Sequence, residues 1–360
     1  VIGPQSYIVI SAAPPTLLEK QVVPTSVQVL GPWDGTLSNS GERIRLVNAQ
    51  GETVDEVRYT DQGDWAERRP TGTVGWRWET SADGLGRSLE LRDVSISNEW
   101  GQNWDTSLRQ DGGTPGLPNS RATDDLPPVI LKVRHDPVIP RSSDAVTIRA
   151  DVLDPELVSV SLFWRDSNHT EDDFHQESMM PITEGSTTYQ ATIPPQEDKV
   201  VIEFYVSATD TNSSRSWPGP ASEPSLFSPG NQDTNALYQV DDEIQSGSIY
   251  YLIMSAPERR RFDSLTRSSN ALMNATLITS IGDELTVRYL CGVRFRGNSS
   301  RRTNPPPKKI NIPRDRPLNG ETSINLNSRT PYNQLVGNLL FTASGLVAPD
   351  ARLVEVRENG

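Results

Sequence analysis

One cysteine, Cys291, is all the chain carries in 360 residues, so no disulfide can close within it. No apolar run is long enough to cross a bilayer, and no charged segment, apolar stretch and cleavage site open the sequence. Hydrophobic residues make up 34%, against 28 prolines and 25 glycines, a balance that disfavours a helical bundle and favours short strands between loops. The formal charge of −13 works against nucleic-acid binding by the chain as a whole. Metal-ligand patterns are also sparse. His169 and His175 flank Glu171, Asp172 and Asp173 with no zinc-site spacing. Asp151, Asp154 and Glu156 bracket a turn without the ligand density of a calcium loop. Both sets read as solvated acidic segments.

What is present is strand alternation. From Leu285 to Arg296, Val287, Tyr289, Cys291, Val293 and Phe295 point one way and Arg288, Arg294 and Arg296 the other, the pattern of a half-buried strand. Cys291 on the apolar face is expected to be a buried, inert thiol. Gly297 and Asn298 break the strand, Ser299 and Ser300 supply hydroxyls, and three prolines hold an extended run. Lys308 and Lys309 then open a new strand with Ile310 and Ile312. A strand, a Gly/Ser turn and a strand bearing lysine is the pattern of a phosphate cradle; a hairpin with solvated basic residues is the alternative.

Helices are expected on both sides. Pro257 with Glu258 marks one start, and Thr330-Pro331 another. Leu335, Val336, Leu339, Leu340 and Ala343 form an apolar stripe that Gly345 ends. That stripe is expected to cover Ile310 and Ile312, with Lys308 beneath the sheet on their side and Lys309 towards solvent. Gly282-Asp283 is expected to turn one strand into the next.

Residues 1–120 read as short strands between turns. Ile44 and Leu46 share a face in one strand, Asp55, Val57 and Tyr59 in the next, with Asp55 inward; a third buries Leu89 and Leu91. Trp33, Trp65, Trp76, Trp78, Trp100 and Trp104 read as core or loop anchors rather than a sugar-stacking platform. Residues 121–129 form an acidic, proline-rich linker. A second β pattern alternates Val146, Ile148, Ala150 and Val152, then Val158, Val160, Leu162 and Trp164, with further strands in 187–195 and 199–210. Residues 214–232 read as a Pro/Ser/Gly connector.

Three resemblances sit on these motifs. LSNSGERIRLVNAQGETVDEVRY, Trp65, DGLGRSLEL, Trp104 and GTPGLPNS resemble a lamin-tail domain over residues 1–120, with the family's first strands missing. Residues 129–215 resemble immunoglobulin-like or fibronectin-type modules. IYYLIMS, a helix, VRYLCGVRFRGNSS, KKINI, INLN, a second helix and the closing VEVRENG resemble the N-terminal half of the CotH family of spore-coat, kinase-like proteins over residues 249–360. The fold implied is mainly β: two immunoglobulin-like antiparallel β-sandwiches, then an α+β kinase-like N-lobe at 240–360. The CotH resemblance implies ATP and a divalent cation, Mg or Mn, for the full-length protein, with a second lobe supplying catalytic and metal-binding carboxylates. The nucleotide-binding candidates it implies are Lys308, Lys309, Arg296, Gly297, Ser299 and Ser300; catalytic residues are expected elsewhere, and phosphoryl transfer by this stretch alone is not expected. The helix expected at 331–345 carries no glutamate, so the lysine–glutamate pair of ordinary kinases has no evident partner on it, a departure from the conventional arrangement that leaves another segment to supply the carboxylate. IGPQSYIVISA at one end and Asn359-Gly360 at the other read as cut ends, so a signal peptide or anchor would lie outside. The setting implied is a secreted or cell-surface bacterial protein acting on a protein substrate or extracellular ligand. A different class of function, a non-catalytic surface adhesion or scaffold protein, fits the same modules.

Overall fold

The computed structural model describes every residue except 1, 2, 4, 5, 21, 72–73, 85, 111, 170–173, 221–233, 244–246 and 282–283. The Gly282-Asp283 turn, most of the 214–232 connector and the Glu171–Asp173 acidic run therefore lie outside the described residues. The chain is mainly β and divides into two compact units. One is Val1–Glu67 with Trp78–Leu126; the other is Arg68–Arg77 with Pro127–Gly360.

In the first unit, the pairings among described residues are short, separate ladders. Ile8–Ile10 pairs Gln28–Leu30 in parallel; Gly41–Val47 pairs Thr53–Thr60 and Leu89–Leu91 pairs Trp104–Thr106, both antiparallel. The parallel pair departs from an all-antiparallel sandwich. Two burial expectations reverse. Asp55 is exposed, accepting from the Asn98 amide at 2.8 Å, and Ile44 and Leu46 of the facing strand are exposed as well, so that hairpin has no buried face there. In Leu89–Leu91 the buried side chain is Glu90, not its neighbours. Its carboxylate accepts from Thr114 Oγ1, from Ser120 N and Oγ at 2.7 and 2.6 Å, and from Arg121 N, so its burial is satisfied. Trp65 is buried, 5.7 Å from the Trp104 ring, an anchor as expected.

The second unit begins with two antiparallel sheets. The four-stranded one orders Met180–Pro181, Thr188–Ile193, Val146–Leu153 and Val129–Asp136; Val146, Ile148, Ala150 and Val152 are buried along it. The five-stranded one orders His175–Ser178, Ser159–Asp166, Val201–Thr209 and Ser214–Trp217, with Ala236–Gln239 also on Val201–Thr209. Val160, Leu162 and Trp164 are buried, while Val158, just before the strand, is exposed. The start of the supposed connector, Ser214–Trp217, is a strand. Asp151, Asp154 and Glu156 are spent on Thr188, the Glu156 N–H and Thr211 respectively, and His175 stacks on Trp164 at 4.4 Å.

A six-stranded sheet follows. Its strands are β1 (Ile249–Ile253), β2 (Met273–Ile281), β3 (Glu284–Phe295), β4 (Lys308–Asn311), β5 (Ser323–Leu326) and β6 (Glu355–Glu358), in spatial order β5-β4-β3-β2-β1-β6. All pairs are antiparallel except β1–β6. Helix α1 (Ala256–Ser264) starts where Pro257 suggested, capped by Ser255, whose Oγ accepts from the Glu258 N–H. Helix α2 (Pro331–Ala343) ends before Gly345.

The long alternation in β3 does not stay on one face. Ala275 of β2 pairs Cys291, but Leu277 pairs Arg288, so Thr276 is opposed by both Tyr289 and Leu290. Leu290, at φ 59°, is the extra residue of a bulge, and a bulge flips every side chain beyond it. Val287 consequently joins the core of Ile249, Tyr251, Ile253, Ile278, Val201 and Leu237. Cys291, Val293 and Phe295 face the other way, into the core of Leu252, Met273, Ile310, Ile312 and Phe262 of α1. Period-two counting cannot see this flip.

Candidate functional site

The strand alternation through Lys308, Ile310 and Ile312 holds, but the helix they face is α1, not α2. Ile310 and Ile312 are fully buried with Phe262, whereas α2 has no buried residue and exposes Val336, Leu339 and Leu340. The reason is topological: α1 connects β1 to β2 in the middle of the sheet, while α2 follows the edge strand β5.

Lys308 is 5% exposed. Its ammonium lies 5.7 Å from the Phe262 ring centre and pairs with Glu358 Oε1. Glu358 Oε2 accepts from Arg259 Nη1 of α1 at 2.8 Å, and Arg259 Nε reaches Asp263 at 3.0 Å. Glu358 belongs to β6, four strand steps from β4 across the sheet. At about 4.8 Å per step, a flat sheet would hold these backbones ~19 Å apart, beyond the reach of a Lys–Glu pair. The sheet therefore curls around α1, and its concave face brings two distant strands together. Asn359 fixes the end of β6: its side chain accepts from the Met254 N–H at 2.9 Å and donates to the Met254 carbonyl at 2.8 Å. The carboxylate that pairs with Lys308 is thus Glu358 of β6, not a residue of the 331–345 helix. Sequence reading missed it because VEVRENG carries no spacing signal towards KKINI.

The Gly/Ser turn begins two residues beyond Phe295, the register partner of Lys308. The Arg296 N–H donates to the Pro307 carbonyl at 2.9 Å, closing the neck, and Arg296 Nη1 donates to Asn327 Oδ1 at 2.5 Å. Gly297 has φ +85°, a backbone that strains any side chain, and a Cβ there would meet the Ser300 hydroxyl unless that hydroxyl turned away. Ser299–Arg302 forms one 3₁₀ turn, with Ser299 exposed and Ser300 half-buried. Arg301, absent from the sequence candidates, ties this turn down. Its guanidinium donates to the carbonyls of Gly297 (2.6 Å), Arg267 (3.2 Å) and Ser269 (3.0 Å), and to Asn270 Oδ1 (2.6 Å).

Lys309 is on the opposite face, half-buried in a cross-strand row with Arg294 and Asn325. The structure thus joins Lys308, Glu358 and Arg259, sets Arg296, Gly297, Ser299 and Ser300 just past them, and leaves Lys309 out. From Leu285 to Arg314 the chain has eight Lys or Arg and no Asp or Glu, a local excess of positive charge in an acidic protein. That charge favours an anion over a cation. Among the described residues no three His, Cys, Asp or Glu side chains converge to hold a metal. Cys291 is buried, its thiol donates to the Arg288 carbonyl, and burial pushes its pKa up to about 12, so it is no nucleophile.

No family model matches the chain, and no curated protein matches it. Among solved structures, two from Listeria monocytogenes share local similarity. One is lmo2446, solved with glucose, magnesium and calcium, at 10% identity and TM-score 0.22 over 51% of this chain and 14% of that one. The other is a cycloalternan-forming enzyme with a pentasaccharide substrate, at 9% identity and TM-score 0.21 over 51% of this chain and 18% of that one. The chain thus spans less than a fifth of the length of either.

Proposed function

We propose that residues 240–360 are the nucleotide-holding N-lobe of a CotH-like protein kinase, in a secreted or cell-surface bacterial protein. Residues 1–120 and 129–215 then serve as lamin-tail-like and immunoglobulin-like modules for binding or spacing. Transfer of the ATP γ-phosphoryl group to a protein is the activity of the full-length chain, with Mg or Mn held by carboxylates outside the described residues. The observation that supports this most is Lys308: a buried lysine, oriented by a carboxylate, next to a glycine–serine turn in a stretch free of acids. Phosphoryl transfer rests on positioning and charge neutralisation, and an oriented lysine supplies both.

The test is nucleotide affinity of the full-length protein. Lys308→Ala is expected to weaken ATP binding by roughly tenfold or more, the worth of one charge-assisted contact. Lys309→Ala, on the other face, is expected to change it by less than about twofold. Equal, small losses for both would end the assignment. The scaffold reading has one observation in its favour, that Arg301 and Arg296 spend their donors inside the loops, and it predicts that equal result.

A further inference from the structure

We propose that residues 68–77, a hairpin covalently continuous at both ends with the first unit, set the position of the Gly297–Arg302 turn through Arg301. The hairpin pairs Glu67–Pro70 with Trp76–Glu79, yet its residues 68–77 pack as part of the second unit. Arg68 anchors one side. It is 3% exposed and donates Nη1 to the Thr234 carbonyl and Nη2 to the Gly219 carbonyl at 2.7 Å. The other side lies on the segment that leads from α1 into β2. The Trp76 N–H donates to the Leu272 carbonyl at 3.0 Å, and Val74 packs on the concave core. Gly75 has φ +84°, and a Cβ there would stand 2.9 Å from the Leu272 carbonyl oxygen and 3.1 Å from Ala271 Cβ. Only a glycine permits so close an approach with this backbone.

Leu272 in turn rests on Gly292 of β3, with its Cδ2 3.1 Å from where a Cβ would stand. Residues 267–270, just before it, present the three oxygens that Arg301 grips, and Arg301 holds Gly297 by the same guanidinium. The chain of contacts runs from hairpin to Leu272, to the 267–270 backbone, to Arg301, to the turn. Arg301 is a positioning residue: its donors are turned to the protein, not outward. The consequence for nucleotide affinity rests on the function proposed above; the positioning itself does not.

Hydrogen exchange on the full chain tests it, with three variants. Gly75→Ala pushes the hairpin off Leu272 without deleting a side chain. Arg301→Gln removes the guanidinium fork. Gly320→Ala is the control, with the same kind of backbone (φ +85°) and nothing within 4 Å of the new Cβ. Amides of 297–303 are expected to exchange about fivefold faster or more in the first two variants, the scale of one or two lost hydrogen bonds, and unchanged in the third. Exchange in β1 and β2 should stay at the wild-type rate, which separates positioning from general loosening. Should Gly75→Ala fail to fold, Val74→Ala, which thins the packing of the hairpin on the concave core, takes its place. Wild-type exchange at 297–303 in the hairpin variant, with changes confined to 68–77 and 267–272, would overturn the proposal whatever Arg301→Gln does. ATP affinity of the full-length protein is read alongside, expected to fall by about fivefold in both variants. If wild-type protein binds no ATP while 297–303 responds as described, the positioning stands and the kinase reading falls.

Discussion

Removing Glu358 should damage the protein far more than removing the lysine it holds. The Lys308 side chain is 6% exposed and Glu358 21%. Glu358→Ala leaves an ammonium buried against Phe262 with no carboxylate; Arg259, 31% exposed, can turn to water. Breaking one side of a buried pair costs about 3–5 kcal/mol, and the partial hydration of Glu358 places this case near 3. Lys308→Met removes the charge and keeps an apolar chain of similar length on Phe262. Glu358 still has Arg259, so the change should lie within about 1 kcal/mol of neutral. The double variant should recover much of the Glu358→Ala loss, a coupling of about 2 kcal/mol. For a unit of this size ~3 kcal/mol corresponds to a fall in Tm of roughly 6–12 °C. Calorimetry of the wild type and the three variants measures all of these. If Lys308→Met destabilises as much as Glu358→Ala, the ammonium is contributing net stability of its own, and the picture of a lysine held at a desolvation cost is wrong.

Three further outcomes are expected. His135 is buried, with Nδ1 accepting from the Tyr289 hydroxyl at 2.5 Å and Nε2 donating to the Val138 carbonyl at 2.9 Å; burial lowers its pKa from 6.5 to about 4. The unfolded chain therefore takes up a proton that the fold refuses, so its contribution is complete above pH 6.5 and falls by about 3 kcal/mol as pH drops towards 4; urea unfolding should show this, and His135→Gln should flatten that part of the profile. Burial by itself would raise the Glu90 carboxyl, but donation by Ser120, Thr114 and Ser107 holds it below its ordinary value; Glu90→Ala should lower the stability of the first unit by about 2–3 kcal/mol in thermal melts, and a loss below ~0.5 would contradict the bonding described. Cys291 should resist a thiol reagent in the native protein and react once it is unfolded, with native labelling within minutes as the contrary result.

Much of this protein is local pattern, and local pattern is legible. The buried alternation of Val146–Leu153, the start of α1 at Ser255–Pro257 and the inert Cys291 all follow from side-chain period, capping and burial, which involve neighbours a few residues apart. The Gly/Ser turn and the inward lysine at 308 were legible for the same reason. Other features depend on pairing. Thr276 opposite two residues flips β3 at Leu290, and no count along β3 alone contains that fact. Glu90 is inside because Thr114 and Ser120, more than twenty residues away, bring donors to it. Residues 68–77 pack with the second unit because Leu272 offers a free carbonyl edge to Trp76. Lys308 meets Glu358 because twist accumulates over four strand steps until the sheet closes on α1. Alternation determines which face a side chain takes; only the curvature of the finished sheet determines what stands opposite it.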